Sequence, residues 1–266
     1  MPDLYTFHQG TTPLLLSIPH AGTDVPEALF DRWSEPAQRL PDTDWHVPRL
    51  YDFARDLGLS ILQATHSRYV IDLNRPPDGA SLYPGQATTG LCPEILFDGT
   101  PLYKDDTSLA ETEIAERRAR YWQPYHAKLA GELARLQRTY GYALLYDAHS
   151  IASRVPRLFE GRLPDLNLGT ARGTSCAPGL ETQIAAILRQ SGFSYVVNGR
   201  FVGGYITRHY GNPAGGIHAI QMEIAQASYM DEIGGYPYNE AKAALLKPVL
   251  REVLTTFLVW GTSYRE

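Results

Sequence analysis

The strongest constraint on what this chain can fold into is a set of five short apolar runs bounded by turn-forming residues. They are PLLLSI at Pro13 to Ile18, LSILQAT at Leu59 to Thr65, YVIDL at Tyr69 to Leu73, YALLYD at Tyr142 to Asp147 and IHAIQMEI at Ile217 to Ile224. Several are too apolar to have a wet face, the pattern of strands covered on both sides. Helical patterns lie between them: Val47 to Leu57, about Leu109 to Tyr140, Leu180 to Gln190, and a C-terminal stretch. In that last stretch Leu246, Val249, Leu250, Val253, Leu254 and Phe257 recur at three- and four-residue spacing. The alternation predicts an α/β fold around a mixed, mostly parallel sheet. A length of 266 residues suits a single domain over 1–266 with one large core.

Composition narrows the partners. A net charge of -5 and a pI near 5.9 give no electrostatic footprint for nucleic acid or an anionic membrane, so a small molecule is the expected partner. Cys92 and Cys176 stand far apart in no paired motif, which signals neither a disulfide framework nor a thiolate zinc site and fits a reducing compartment. The N-terminal MPDLYTFHQGTTP has neither a basic segment nor an apolar one, and nowhere do about eighteen apolar residues run together, so a cytoplasmic protein is expected. The Pro- and Gly-rich segment from Asn74 to Gly90 reads as a long loop, and loops of that length inside a compact domain are usually functional.

In α/β sheets, ligands collect outside the carboxyl ends of the strands. Four of the five runs end there in polar chemistry: PLLLSI in His20, YVIDL in Asn74 and Arg75, YALLY in Asp147, His149 and Ser150, and IHAIQM in Glu223. Two imidazoles and a carboxylate form the usual ligand set of a catalytic zinc, so His20 and His149 are candidate metal ligands if their strands are neighbours. The acid is open: Asp24 follows His20 by four residues, while Asp42 and Asp44 precede a helix, where an N-cap is the alternative use. Asp147 is read as pointing to the opposite side of the strand from His149 and so is expected outside the ligand set, holding a ligand histidine in one tautomer should the backbone turn at Ala148. A Ser-His-Asp reading is weak, because nucleophile and base are adjacent and no GxSxG elbow occurs.

Glu223 closes an apolar run, and desolvation there raises a carboxyl toward the range useful to a general base. Asn74 and Arg75 are candidates to hold an acidic substrate, with Arg208 and His209 in the Gly-flanked GGYITRHYG as a second anion contact. Arg68 and Arg172 are weaker candidates.

The segments SIPHAG, LPDTDWHVPRLYDFA, SRYVIDLNRPP, TTGLCP, LLYDAHSI, LPDLNLGT, GGYITRHYG and MEIAQASYMDE occur in this order. With them the chain resembles the N-formylglutamate amidohydrolase (N-formylglutamate deformylase) family of bacterial histidine degradation, itself similar to zinc carboxypeptidases and aspartoacylase-like deacylases. The resemblance implies a three-layer α/β/α sandwich and one zinc ion. It implies His20 and His149 as ligands, Asn74 and Arg75 as the carboxylate clamp, and Glu223 as the base. The carboxypeptidase pattern His-x-x-Glu is broken by Thr23, so the acidic ligand comes from elsewhere, Asp44 first and Asp24 second. The implied reaction is hydrolysis of N-formyl-L-glutamate to formate and L-glutamate. Because that substrate carries two carboxylates, Arg75 and Arg208 are the expected pair of cations. The alternatives are a metallo-deacylase or carboxypeptidase for another N-acyl amino acid or peptide, and a noncatalytic metal- or ligand-binding relative. No protein partner is implied.

Overall fold

The computed structural model describes residues 3–82, 84–105 and 108–264. Seven strands form one sheet: β1 (Tyr5–His8), β2 (Leu14–Ile18), β3 (Ser60–Ala64), β4 (Ala143–Ile151), β5 (Leu166–Gly169), β6 (Tyr195–Val197) and β7 (Ile217–Ala225). Their spatial order is β1-β3-β2-β4-β7-β5-β6. The pairs β3 with β2, β2 with β4, β4 with β7 and β5 with β6 are parallel, whereas β1 with β3 and β7 with β5 are antiparallel. The sheet is therefore mixed and mostly parallel, as the apolar runs predict.

Helices cover both faces. Three short ones, α1 (Glu27–Phe30), α2 (Glu35–Gln38) and α3 (Val47–Leu50), precede α4 (Glu111–Arg117), α5 (Gln123–Tyr140), α6 (Pro178–Gln190), α7 (Tyr205–Tyr210) and α8 (Glu240–Tyr264). The two-residue period of each strand sorts its side chains between two cores. Leu14, Leu16, Ile18, Leu144, Tyr146, Ala148, Ile220, Met222 and Ile224 pack with α3, α6 and α8, while Leu15, Ala143, Leu145 and Ala219 pack with α5 and Ile206 of α7. Helix α8 buries Leu246, Leu250, Val253, Leu254 and Phe257, the spacing seen in the sequence. No helix among the described residues is long and apolar enough to cross a membrane.

Two expectations change. The run Tyr69 to Leu73 is not a strand: it is a buried turn segment, opened by a bond from Val70 N to Ser67 O, that crosses the end of the sheet. Its apolar side chains fill the second core without joining the ladder, so hydrophobicity alone could not distinguish it from a strand. The helix expected from Val47 to Leu57 divides into α3 and a 3-10 turn at Asp52–Arg55. Residues 74–90 do form a loop, of which Tyr83 lies outside the described residues.

His126 of α5 is buried, with Nε2 on the Leu73 carbonyl at 2.8 Å and Nδ1 on the Tyr210 hydroxyl at 2.9 Å. Burial pushes its pKa down from 6.5 to about 3. Between those values the unfolded chain binds a proton that the folded chain refuses, so this residue costs stability progressively as pH falls from 6.5 to 3. The His126→Gln variant is expected to be less stable than wild type at pH 7, and the gap should narrow by up to about 1.4 kcal/mol per pH unit on acidification. Urea unfolding across that range measures it; parallel pH profiles would contradict the assignment.

Candidate active site

The carboxyl ends of β2, β4 and β7 lie side by side, and the parallel register places His149 of β4 directly beside Glu223 of β7. Both project from the α5 side of the sheet, opposite to Tyr146, Ala148 and Met222. His20 follows β2, and its carbonyl accepts the amide of Asp44, which folds the 40–46 turn beneath it.

Three side chains then converge. The His149 Nδ1 atom is 3.2 Å from Asp44 Oδ2, the His20 Nδ1 atom is 3.8 Å from the same oxygen, and the two rings are 4.8 Å apart. One ligand atom from each of His20, Asp44 and His149 lies within 4.8 Å of the others, and all three residues are buried. The alternative use of Asp44 as an N-cap is not taken, since α3 is capped by His46 with no side-chain bond, and Asp44 Oδ2 accepts the Ser150 amide instead.

The far side of each ring is held by a carboxylate. His20 Nε2 meets Asp72 Oδ1 at 2.8 Å, and His149 Nε2 meets Asp147 Oδ2 at 3.0 Å. These contacts hold the Nε2 side of each ring, where Asn74 Nδ2 also lies 2.9 Å from His149 Nε2, and leave both Nδ1 atoms facing Asp44, an orientation of the kind that outer carboxylates give to metal-binding histidines. No turn at Ala148 is needed: β4 runs unbroken through Ile151, and its two-residue period puts Asp147 and His149 on one face. Asp42 instead accepts the Phe97 amide, and burial raises its carboxyl to about 6. Asp24 is exposed and pairs its backbone with His66, away from the cluster.

The donor set suits a divalent ion. Two imidazole nitrogens and a carboxylate are borderline and hard donors of the kind that bind zinc with a position left for another ligand. The buried His20 Nδ1 and Asp44 Oδ1 atoms form no hydrogen bond among the described residues, so a cation between them would relieve both.

Arg68, buried beside the cluster, donates to Asp72 Oδ2 at 2.7 Å and stands 3.7 Å from Asp44 Oδ1. Burial would raise the Asp72 pKa, but His20, Arg75 and Arg68 hold it well below the usual carboxylate range. Burial likewise opposes charge on both rings. It lowers His20, with Arg68 adding to the effect, whereas Asp147 and Asp44 overcome it at His149 and raise that ring. Glu223 behaves differently from Asp72. Burial pushes it up to about 7 against the attraction of His149, and its Oε2 takes a bond from Gln221 Nε2 at 3.0 Å.

A cavity of about 50 Å³ opens over these groups, lined by His20, His149, Glu223, Asn74, Arg75 and Gly204 among others. Asn74 Oδ1 accepts the Ile206 amide, and its Nδ2 donates to Asp147 Oδ2 at 3.2 Å. Gly204 is required there because a Cβ would meet Asn74 Nδ2 at 2.3 Å. The Arg75 guanidinium is aimed by the Thr89 carbonyl at 2.9 Å and by the hydroxyls of Thr88 and Thr89.

Arg208 does not reach this cavity. On α7 its Nε donates to Gly203 O and its Nη1 to Leu82 O, so backbone bonds aim it elsewhere. His209 stacks on Tyr205, and exposed Arg172 also lies outside the lining. The cations that do line it are Arg75, Arg68 and Arg200, the last held by the carbonyls of Leu158 and Ala87. Sequence reasoning missed Asp72 as the partner of His20, along with Arg200 and Gln221. The acid inside the apolar run YVIDL was the available signal for Asp72; nothing in the spacing marks the other two.

An α/β sheet that carries a buried His-Asp-His cluster and a high-pKa glutamate at adjacent strand ends defines the class as hydrolase-like with a candidate metal centre. The N-formylglutamate amidohydrolase family matches residues 12–230, and the chain belongs to that family. It is 51% identical to the N-formylglutamate deformylases of Pseudomonas putida and of Pseudomonas aeruginosa, over 98% of this chain and 98% of each relative. The crystal structure of N-formylglutamate amidohydrolase from Ralstonia eutropha superposes with a TM-score of 0.80 at 27% identity, covering 98% of both chains.

If Asp72 orients His20 toward an ion, Asp72→Asn is expected to lower zinc affinity by about 10- to 100-fold. Competition with a chromophoric chelator measures this, and unchanged affinity would exclude the orienting role.

Proposed function

We propose that this chain is a metal-dependent deformylase that hydrolyses N-formyl-L-glutamate to formate and L-glutamate, with zinc as the ion suited to His20, Asp44 and His149. The observation that carries the reading is Glu223: a carboxyl with a pKa near 7, one strand over from His149 and in the same cavity as Arg75. A protein that only bound a ligand would have no use for a proton acceptor in that place.

A divalent ion held by the three ligands supplies Lewis acidity toward the formyl oxygen and lowers the pKa of water. The protein's residues perform the rest. Glu223 accepts the proton of the water that adds to the formyl carbon, then delivers it to the nitrogen as the C–N bond breaks, so that formate and the free amine separate. Asp72 and Asp147 keep the two imidazoles in the Nδ1-facing orientation throughout. Arg75 pairs with one substrate carboxylate, and Arg200, lining the same cavity, takes the place of Arg208 in our reading as the second cation. Leaving such guanidinium groups unpaired is the penalty by which a site of this kind rejects uncharged analogues. In the cell the reaction would serve histidine degradation, as the family resemblance implies.

Formate release from N-formyl-L-glutamate by the zinc-loaded protein tests this reading, and preference for N-acetylated or peptide substrates would overturn it. The Glu223→Gln variant is expected to keep its zinc while kcat falls by about 10²- to 10⁴-fold. Undiminished turnover in that variant would remove Glu223 from the mechanism.

A further inference from the structure

The loop that carries Asn74 and Arg75 is held along its length by one helix. Arg118, Trp122 and His126 recur at four-residue intervals on the continuous helix from α4 to α5, which places them on one face about 6 Å apart. Each donates to a loop carbonyl: Arg118 Nη1 to Pro77 O at 2.9 Å, Trp122 Nε1 to Arg75 O at 3.1 Å, and His126 Nε2 to Leu73 O at 2.8 Å. Four residues of helix thus answer two residues of loop, twice in succession and in opposite chain directions.

Three further observations set this apart from ordinary packing. The Leu73 carbonyl can only accept, which makes His126 Nε2 the donor, the Tyr210 hydroxyl meets Nδ1 on the other side of the ring, and the Trp122 and His126 rings stack with centroids 3.7 Å apart. The helix widens into π turns over Arg118–Trp122, where the first two donors sit, and such turns are frequent near functional sites. None of the three side chains lines the cavity, so they can act on a ligand only through the residues they hold.

We propose that Arg118, Trp122 and His126 are positioning residues that clasp the backbone from Leu73 to Pro77, setting where Arg75 meets an anionic substrate and where Asn74 meets Asp147. The role of Arg75 rests on the function proposed above; the clasp itself does not. Holding the main chain matters because the Arg75 guanidinium is already aimed by Thr88 and Thr89, leaving its own backbone as the remaining freedom.

Two measurements test it, on Trp122→Phe, which keeps the stacked ring and loses the N–H, and on Arg118→Ala with Arg118→Lys as the conservative rescue. In the first, hydrogen exchange at the amides of Arg75 and Gly79 is expected to accelerate about fivefold in Trp122→Phe and Arg118→Ala, the worth of one net hydrogen bond. Unchanged exchange overturns the clasp, whether or not the protein turns over N-formylglutamate. In the second, both variants are expected to raise KM for N-formylglutamate about fivefold with kcat within about twofold, Arg118→Lys restoring it. Trp122→Phe should add nothing further in an Arg75→Gln background. Equal effects in both backgrounds overturn action through Arg75, and wild-type protein without deformylase turnover overturns the functional reading alone, leaving exchange to decide on the clasp.

Discussion

The structure depends on a concentration of buried negative charge. Asp44, Asp72 and Asp147 are all inaccessible to solvent at the ends of β2 and β4, and Glu223 lies next to them. Removing such charges from water costs several kcal/mol each unless they are compensated. Arg68 bridges Asp72 and Asp44, Arg75 adds a more distant contact, and the two imidazoles meet Asp72 Oδ1 and Asp147 Oδ2. Two of the three aspartates are turned against the back of a histidine, so the fronts of both rings face Asp44. A fold that assembles this many acids and leaves His20 Nδ1 and Asp44 Oδ1 without hydrogen-bond partners among the described residues presents a candidate cation site.

The sheet supplies the geometry at little conformational cost. Parallel pairing of β4 with β7 fixes His149 beside Glu223 over nine consecutive residue pairs, from Ala143 with Ile217 to Ile151 with Ala225. The alternate positions, Tyr146, Ala148, Met222 and Ile224, fill the opposite core. A one-residue slip would exchange core and site along the whole strand, so the packing that stabilises the fold also enforces the site. Loop residues complete it: Asn74 is held by the Ile206 amide in space that Gly204, lacking a Cβ, leaves open.

Much of this was legible in the sequence because strands buried on both faces write themselves as apolar runs, and their polar endings identify the ligand edge. His20, His149 and Glu223 could be found by that rule, and the structure brings them together. The rule failed at YVIDL, whose apolar residues fill a core without pairing, and it undervalued the aspartate within that run. Arg208 was selected for its Gly-flanked setting, but the direction of its guanidinium is set by the carbonyls of Gly203 and Leu82, contacts with no local sequence signature. The choice between Asp24 and Asp44 was equally non-local. It is decided by the bond from the Asp44 amide to the His20 carbonyl, across twenty-four positions of chain.

The central claim is that His20, Asp44 and His149 together bind a divalent ion. Anomalous scattering from crystals of the zinc-loaded protein tests it most directly. The account predicts one zinc peak per chain about 2.0 to 2.2 Å from His20 Nδ1, His149 Nδ1 and an Asp44 oxygen. A peak elsewhere, or none at this cluster in protein that carries stoichiometric zinc, would contradict it.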